Sequence, residues 1–158
     1  MAKAKKASDF ISTGLIAQNR RAHFDYLIEE KFVAGLELLG TEVKSLRQGH
    51  ANINDAFGVE HNGEIFMSNM FIAEYVNKGY ASHAEKRECK LLLKKKEIID
   101  ILNALARKGS TLVALRLFFD THGRAKLEVG LGRGKKIYDK RETIKNRELD
   151  RKIRLKDF

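Results

Sequence analysis

The stretch TLVALRLFFDTHGRAKLEVGL, residues 111–131, predicts two strands joined by a tight turn. Apolar side chains occupy every second position in both halves, as half-buried strands require. Thr121-His122-Gly123 separates the halves and supplies the turn. The side chains expected to share a buried face are Val113, Leu115, Leu117 and Phe119 in the first strand and Ala125, Leu127, Val129 and Leu131 in the second.

Segments before this pair predict further strands. Residues 22–28 alternate in the same way, and residues 32–39 continue the strand through a bulge at Gly35. Asn62-Gly63 predicts a hairpin between residues 56–59 and 65–69, because Asn-Gly adopts the positive φ angles of a two-residue turn. A strand is expected over residues 71–76 and a polar loop over residues 77–87.

Two helices are expected among these strands. Thr41 is a candidate N-cap for a short helix over residues 42–48, in which Glu42 favours the first turn and Gly49 ends the helix. A longer helix is predicted from Cys89 to Lys108, capped by Gly109. Its apolar stripe consists of Leu91, Ile98, Leu102 and Leu105.

These elements predict a mainly β (α+β) fold, a small oligonucleotide-binding-like β-barrel with a short helix, one long helix and a basic C-terminal tail. A two-layer α+β sandwich is the alternative. The expected divisions are a flexible basic lead over residues 1–16, the barrel with its helices over residues 17–131 and the tail over residues 132–158. One domain fits the length of 158 residues.

The charge balance indicates an anionic partner. The formal net charge is +10, and the sequence pI is about 9.7. The tail has eleven basic and five acidic residues, and its sparse apolar residues predict disorder or loose helix until it orders on a polyanion. A merely solubilising extension is the alternative. No apolar run has the length of a membrane span, and the N-terminus lacks a signal-peptide core, so a cytoplasmic protein without membrane attachment is expected.

Catalytic and metal chemistry are not expected. The five histidines have no metal-ligand spacing, and the single cysteine, Cys89, is expected to be a small packed residue in a reducing compartment. The glycines near residue 132 precede basic coil, which does not fit a phosphate-binding loop. The pairs Asp120 with His122 and Asp25 with His23 are interpreted as turn or surface pairs. The prediction is a protein that is not an enzyme and needs no cofactor.

A nucleic-acid-binding surface is the remaining prediction, since lysine and arginine near an exposed ring are typical of RNA binding. In the tail this composition occurs at Lys135, Lys136, Tyr138, Lys140 and Arg141. On the globular part, the candidates expected to face outward are Asn19, Arg20, Arg21, Lys44, Arg47, Arg124 and Lys126.

Three motifs in order resemble the SsrA-binding protein family, also called small protein B or SmpB. They are GTEVKSLRQGHANI at residues 40–53, KLLLKKKEI at residues 90–98 and GRGKKIYDKRETIKNRELDR at residues 132–151. The resemblance implies an RNA-binding protein of trans-translation and ribosome rescue. It would bind the tRNA-like domain of transfer-messenger RNA (tmRNA) and deliver it, in a complex with elongation factor Tu, to stalled ribosomes. A monomer is expected.

The resemblance also assigns residues. It matches Asn19, Arg20 and Lys126 to positions that contact the tRNA-like domain and places Leu92 next to that surface. The outward-facing candidates Arg21, Lys44 and Arg124 complete the set of contacts expected with this domain. The tail would occupy the empty mRNA channel of the small subunit near the decoding centre as a helix, with Tyr138 stacking on ribosomal RNA. Its expected contacts are Gly134, Lys135, Lys136, Tyr138, Asp139, Lys140, Arg141, Lys145, Arg147, Arg151 and Arg154.

The chain departs from the family pattern at several positions. Val33 replaces a common RNA-contacting glutamate, Cys89 replaces a common arginine, Ala114 replaces a strand proline, and the proline usual after His83 is missing. These departures would weaken the binding surface by a charge or two. The alternative function is a general basic RNA-binding or ribosomal protein with a nonspecific polycationic tail.

Overall fold

The computed structural model describes residues 13–74, 84–134 and 137–156, with the backbone alone at 137–140 and 156. The described part is mainly β with a few helices, which confirms the predicted class. The strands are β1 Gly14–Gln18, β2 Tyr26–Leu36, β3 Ala51–Asn52, β4 Phe57–His61, β5 Glu64–Ser68, β6 Phe71–Ile72, β7 Cys89–Leu92, β8 Ser110–Phe119 and β9 Ala125–Gly134. The helices are α1 Ala22–Asp25, α2 Gly40–Arg47, α3 Lys95–Leu105 and α4 Ile137–Lys156.

The strand pairings form a ring. β8 pairs with β9, β9 with β2, β2 with β7, β7 with β5, and β5 with β4, all antiparallel. β4 then returns to β8 through the pair Phe57 and Val113, and β1 adds to the same edge of β8. This ring of six strands agrees with the barrel prediction better than with a two-layer sandwich. β3 and β6 form a separate two-stranded sheet.

The hairpin of residues 111–131 is confirmed, but the predicted face of its first strand is wrong. β8 carries a bulge between Ala114 and Arg116. Leu117 and Phe119 therefore lie in the main core, whereas Val113 and Leu115 pack with Ala22 in a second, smaller cluster. An extra residue at a bulge reverses the inward and outward positions, because side chains alternate along a strand.

The Asn-Gly turn is also confirmed. Asn62 and Gly63 join β4 to β5 with φ angles of 54° and 78°. The short helix α2 begins at Gly40, one residue before the expected cap, and is followed by Gly49 at φ 76°. The predicted strand over residues 71–76 is observed only as β6, and residues 75–83 lie outside the described part.

The helix predicted from Cys89 to Lys108 is a strand followed by a helix. Residues Cys89–Leu92 form β7, and α3 begins only at Lys95. The apolar run in this region fits both the side-chain period of a strand and that of a helix. Pairing of β7 with β2 and β5 settles the first four residues as strand. Ile98, Leu102 and Leu105 do pack on the core from α3, as predicted.

The N-terminal boundary differs from the prediction. β1 begins at Gly14 and pairs with β8, so residues 14–16 belong to the sheet instead of a flexible lead. The strand expected from Ala22 is α1 up to Asp25, and β2 begins at Tyr26.

The C-terminal segment forms α4, which contacts α1: the Arg147 guanidinium carbon lies 5.8 Å from the centre of the Phe24 ring. The sequence predicts disorder or a loose helix for this segment until it orders on a polyanion, and its conformation without a partner stays a prediction. Residues 137–156 contain neither glycine nor proline, and oppositely charged residues recur four apart, as at Glu148 and Lys152. None of the helices within the described residues has the length and apolarity to cross a membrane.

Candidate nucleic-acid interface

One outer face of the ring brings together residues that are distant in sequence. Gly35 of β2 pairs with Lys126 of β9 on one side and with Leu92 of β7 on the other. Residues opposite each other in antiparallel strands project from the same face. Leu91 and Leu127, the neighbours in sequence, are buried, so Leu92 and Lys126 both project outward. Leu92 and Lys126, two of the predicted RNA contacts, therefore lie on one face, on either side of Gly35, which has no side chain.

Phe118 and Arg116 extend this face on β8. Phe118 pairs with Lys126, and the Arg116 guanidinium carbon lies 5.0 Å from the centre of the Phe118 ring. Arg116 also forms an ion pair with Glu128, with 3.2 Å between Nη2 and Oε2. Two cations beside an aromatic ring can meet a phosphate and a base together.

The sequence analysis missed Arg116 and Phe118 as site residues. Both positions lie between the apolar residues of the predicted strand, so its alternation already placed them outward. What the sequence did not provide was their pairing with Lys126 in β9. An aromatic residue at an outward strand position beside an arginine was the available signal.

Val33 lies on the same outer face. It pairs with Glu128, and its side chain is 55% exposed. The departure from the family glutamate therefore leaves an exposed apolar side chain next to the basic residues.

Asn19 is not outward-facing, and that prediction is wrong. Its side chain is only 5% exposed. Its Nδ2 donates to the carbonyl oxygens of Ala114 at 3.0 Å and Asn54 at 3.3 Å. Asn19 therefore connects the end of β1 to β8 and to the turn after β3.

The other globular candidates occupy separate places. Arg20 and Arg21 are exposed between β1 and α1, and Arg21 Nε lies 3.7 Å from Asp25 Oδ2. Lys44 is exposed on α2. Arg124 is exposed at the β8–β9 turn, where its backbone N–H donates to Asp120 Oδ1 at 2.9 Å.

Asp120 acts as the organiser of that turn. Its Oδ1 also accepts the backbone N–H of His122 at 2.9 Å. These two backbone hydrogen bonds, that of Arg124 first, lower the pKa of Asp120. The carboxylate is therefore held as an acceptor in the turn, which agrees with the interpretation of Asp120 and His122 as a turn pair.

The buried carboxylate of Glu42 holds the segment just before β7, the strand that carries Leu92. Glu42 of α2 is 1% exposed, and its Oε1 accepts from Arg87 Nη2 at 2.6 Å and from the Leu39 backbone N–H at 2.9 Å. The hydrogen bond with Glu42 raises the pKa of Arg87. Cys89 is fully buried, and burial, assisted by Glu42, raises the pKa of its thiol to about 11.

The tail candidates follow β9. Gly134 is exposed and pairs with Tyr26 at the end of the strand. Lys135 and Lys136 lie outside the described residues, and for Tyr138, Asp139 and Lys140 the structure describes only the helical backbone. The remaining candidates are exposed on α4: Arg141, Lys145, Arg147, Arg151 and Arg154.

A ring of strands with lysine, arginine and phenylalanine on one outer face, continued by a basic helix, defines a nucleic-acid-binding protein. The model of the family described as SmpB protein matches residues 16–156. The chain therefore belongs to the SmpB family of RNA-binding proteins, as the sequence motifs predicted.

Relatives cover nearly the whole chain. The SsrA-binding protein of Sinorhizobium fredii (strain NBRC 101917 / NGR234) is 44% identical over 148 residues, which are 94% of this chain and 93% of that protein. The SsrA-binding protein of Wolbachia pipientis subsp. Culex pipiens (strain wPip) is 50% identical over 137 residues, 87% of this chain and 92% of that protein. A solved chain described as "tmRNA-SmpB: a journey to the center of the bacterial ribosome" has a TM-score of 0.65 and 42% identity, and covers 80% of this chain and 86% of that one.

Proposed function

We propose that this protein binds the tRNA-like domain of tmRNA and delivers it to stalled ribosomes in the cytoplasm. The observation that carries the proposal is the outer face on which Arg116, Phe118, Lys126 and Leu92 lie together. This outer face offers cations for phosphates, a ring for stacking and an apolar contact. The description of the similar solved chain, which pairs SmpB with tmRNA, supports tmRNA as the RNA.

The tail has a separate role in this proposal. α4 enters the empty mRNA channel of the small subunit near the decoding centre, as part of a complex of one protein molecule with tmRNA and elongation factor Tu. Its basic residues support this assignment, because Arg147, Arg151 and Arg154 recur at helical spacing and line one side. The globular part and the tail thus divide binding from ribosome sensing.

The first prediction separates tmRNA recognition from nonspecific binding. We expect the protein to bind tmRNA at least roughly a hundredfold more tightly than bulk tRNA at matched moderate salt, since a nonspecific polycation would bind both about equally. In Lys126→Ala, loss of one phosphate contact should weaken tmRNA binding and reduce the slope of log affinity against log salt by about 1. Fluorescence anisotropy over a salt series measures both.

Lys96→Ala is the matched control, because Lys96 is exposed on α3 and its loss removes the same charge. It should change the salt slope much less than Lys126→Ala. Equal affinity for tmRNA and tRNA would contradict the proposal and favour the general basic RNA-binding alternative. Equal effects of the two lysine variants would remove Lys126 from the interface.

A further inference from the structure

A polar cleft lies apart from the outer face described above. Its volume is about 230 Å³, and it is bounded by the segment after β3, the segment between β5 and β6, and the segment before β7. The lining residues are Asn52, Asp55, Asn69, Phe71 and Lys86. Two side-chain amides, a carboxylate, an aromatic ring and an ammonium group thus surround one small space.

The walls of the cleft are connected to one another. Asn52 Oδ1 accepts the backbone N–H of Asn54 at 2.9 Å, and Asn69 Nδ2 donates to the backbone oxygen of Asp55 at 3.2 Å. The buried Asn19 holds the same turn by donating to the Asn54 oxygen. Asn52 and Phe71 are direct partners in the β3–β6 pair, so their side chains share a face. The cleft is therefore preformed.

Asn69 has an unusual backbone. Its φ angle is 60°, in the left-handed region that residues other than glycine rarely adopt. Asparagine tolerates this conformation better than most residues, and strained residues of this kind cluster at ligand sites. The Asn69 amide lines the cleft, where its Nδ2 donates to the Asp55 backbone oxygen and its Oδ1 has no partner among the described residues.

Several polar groups of the cleft lack hydrogen-bond partners among the described residues and lie beside an aromatic ring. Within the described part of the chain, Asn52 Nδ2 and the carboxylate of Asp55 also have no hydrogen-bond partner, and Lys86 forms no ion pair. The cleft thus offers one amide donor and two acceptors beside the half-buried Phe71 ring. A ligand that matches them is flat, aromatic and polar at its edge.

We propose that this cleft binds a single unstacked nucleobase of an RNA partner. The ring of Phe71 stacks on the base, the amides and Asp55 read its edge, and Lys86 meets the attached phosphate. Because the Asp55 carboxylate and Asn69 Oδ1 are both acceptors, bases with an exocyclic amino group are favoured. Uracil is bound least well, since its single N3–H lies between two carbonyl oxygens that repel the carboxylate. The inference rests on the proposed RNA-binding function and adds a base-reading subsite to it.

Nucleotide titration of the full chain tests the subsite directly. AMP, CMP, GMP and UMP are added separately to isotope-labelled protein, and amide NMR shifts are followed. We expect saturable shifts at residues 52–55 and 69–71, including the Asn52 and Asn69 side-chain amides, with roughly millimolar dissociation constants for a single nucleotide. UMP should bind at least about threefold more weakly than the best nucleotide.

Two variants and one matched control complete the experiment. Phe71→Leu keeps an apolar side chain but removes the ring and should weaken binding roughly tenfold. Asn69→Gly accepts the left-handed backbone, removes the amide and should weaken binding by about fivefold. Asn62→Gly makes the same change at the other described non-glycine residue of positive φ, in the distant β4–β5 turn, and should change nothing.

The outcomes are distinct from those of the proposed function. Absence of shifts at residues 52–55 and 69–71 with all four nucleotides overturns the subsite, even if tmRNA binding is intact. Equal binding of UMP overturns base reading through Asp55. Loss of tmRNA binding with the nucleotide shifts retained would instead overturn the choice of RNA and leave the cleft in place.

Discussion

The ion pair of Glu42 and Arg87 joins segments that are far apart in sequence. Glu42 is buried in α2, whereas Arg87 precedes β7 and is about one-third exposed. Arg87 Nη2 also donates to the Glu37 oxygen at 3.3 Å. The pair thus connects α2 and the end of β2 to the strand that carries Leu92, and its two residues are 45 positions apart in sequence.

Removing Arg87 should therefore be costly. Arg87→Ala leaves the Glu42 carboxylate buried without its cation, and we expect unfolding free energy to fall by about 3 kcal/mol. Urea unfolding followed by circular dichroism measures this loss. Lys86→Ala, the neighbouring exposed residue without an ion pair in the described structure, should change stability by less than about 0.5 kcal/mol.

The double variant identifies the mechanism. If the cost of Arg87→Ala is the unpaired carboxylate, then adding Glu42→Gln should restore part of the stability, because a neutral amide is cheaper to bury. Additive losses would contradict this explanation.

Sequence reasoning recognised Glu42 only as a favourable charge in the first turn of a helix. Its burial and its partner arise from tertiary packing, which local spacing does not contain, although the packed state of Cys89 was correctly predicted.

Among the elements, strands with one buried face were the most predictable. β9, the β4–β5 hairpin and the core-facing residues of α3 follow from alternation, from Asn-Gly and from helical spacing. β7 could not be distinguished from a helix, since a short apolar run fits both periods and only its pairing with β2 and β5 decides. The sequence also did not predict the bulge in β8. Both neighbours of Arg116 are apolar, so the alternating pattern continues through the bulge without a visible break.

The closure of the ring depends on a close contact between β4 and β8. A Cβ at Gly58 would lie 2.7 Å from Leu112 Cβ and 2.5 Å from Leu112 Cδ2. Leu112 is fully buried, so it has little room to move. Gly58→Ala should thus reduce unfolding free energy by about 1–3 kcal/mol, measured by thermal or urea unfolding.

Gly40→Ala is the control for that substitution. Gly40 begins α2, and a Cβ at this position would meet no atom within 4 Å. Alanine should be neutral or slightly stabilising there, because it reduces the freedom of the unfolded chain. A loss at Gly58 no greater than at Gly40 would mean that β4 and β8 can separate at little cost.

For the whole molecule, charge and composition correctly indicated a nucleic-acid-binding class, but the surface itself required the fold. Lys126 and Leu92 were candidates in the sequence, and only the pairing of both with Gly35 makes them neighbours. Asn19 shows the opposite case. Its polarity suggested an exposed contact, whereas two hydrogen bonds to backbone oxygens hold it inside.

The division between globular part and tail yields a further prediction. A chain ending at Gly134, the last residue paired with β2, should bind tmRNA as well as the full chain but should no longer support peptide tagging on stalled ribosomes. This end point keeps Arg133, whose Nε forms an ion pair with Glu29 Oε1 at 3.3 Å. Loss of tmRNA binding in this truncation would contradict the division.

A scrambled tail then tests whether order matters beyond charge. Rearranging residues 137–156 at constant composition keeps net charge and helix propensity, but it disperses the aligned Arg147, Arg151 and Arg154. We expect tagging to be lost while tmRNA binding and its salt dependence stay unchanged. Circular dichroism checks that the scrambled helix still forms. Unchanged tagging would make the tail a polycation, because a nonspecific electrostatic role depends on charge and is indifferent to register.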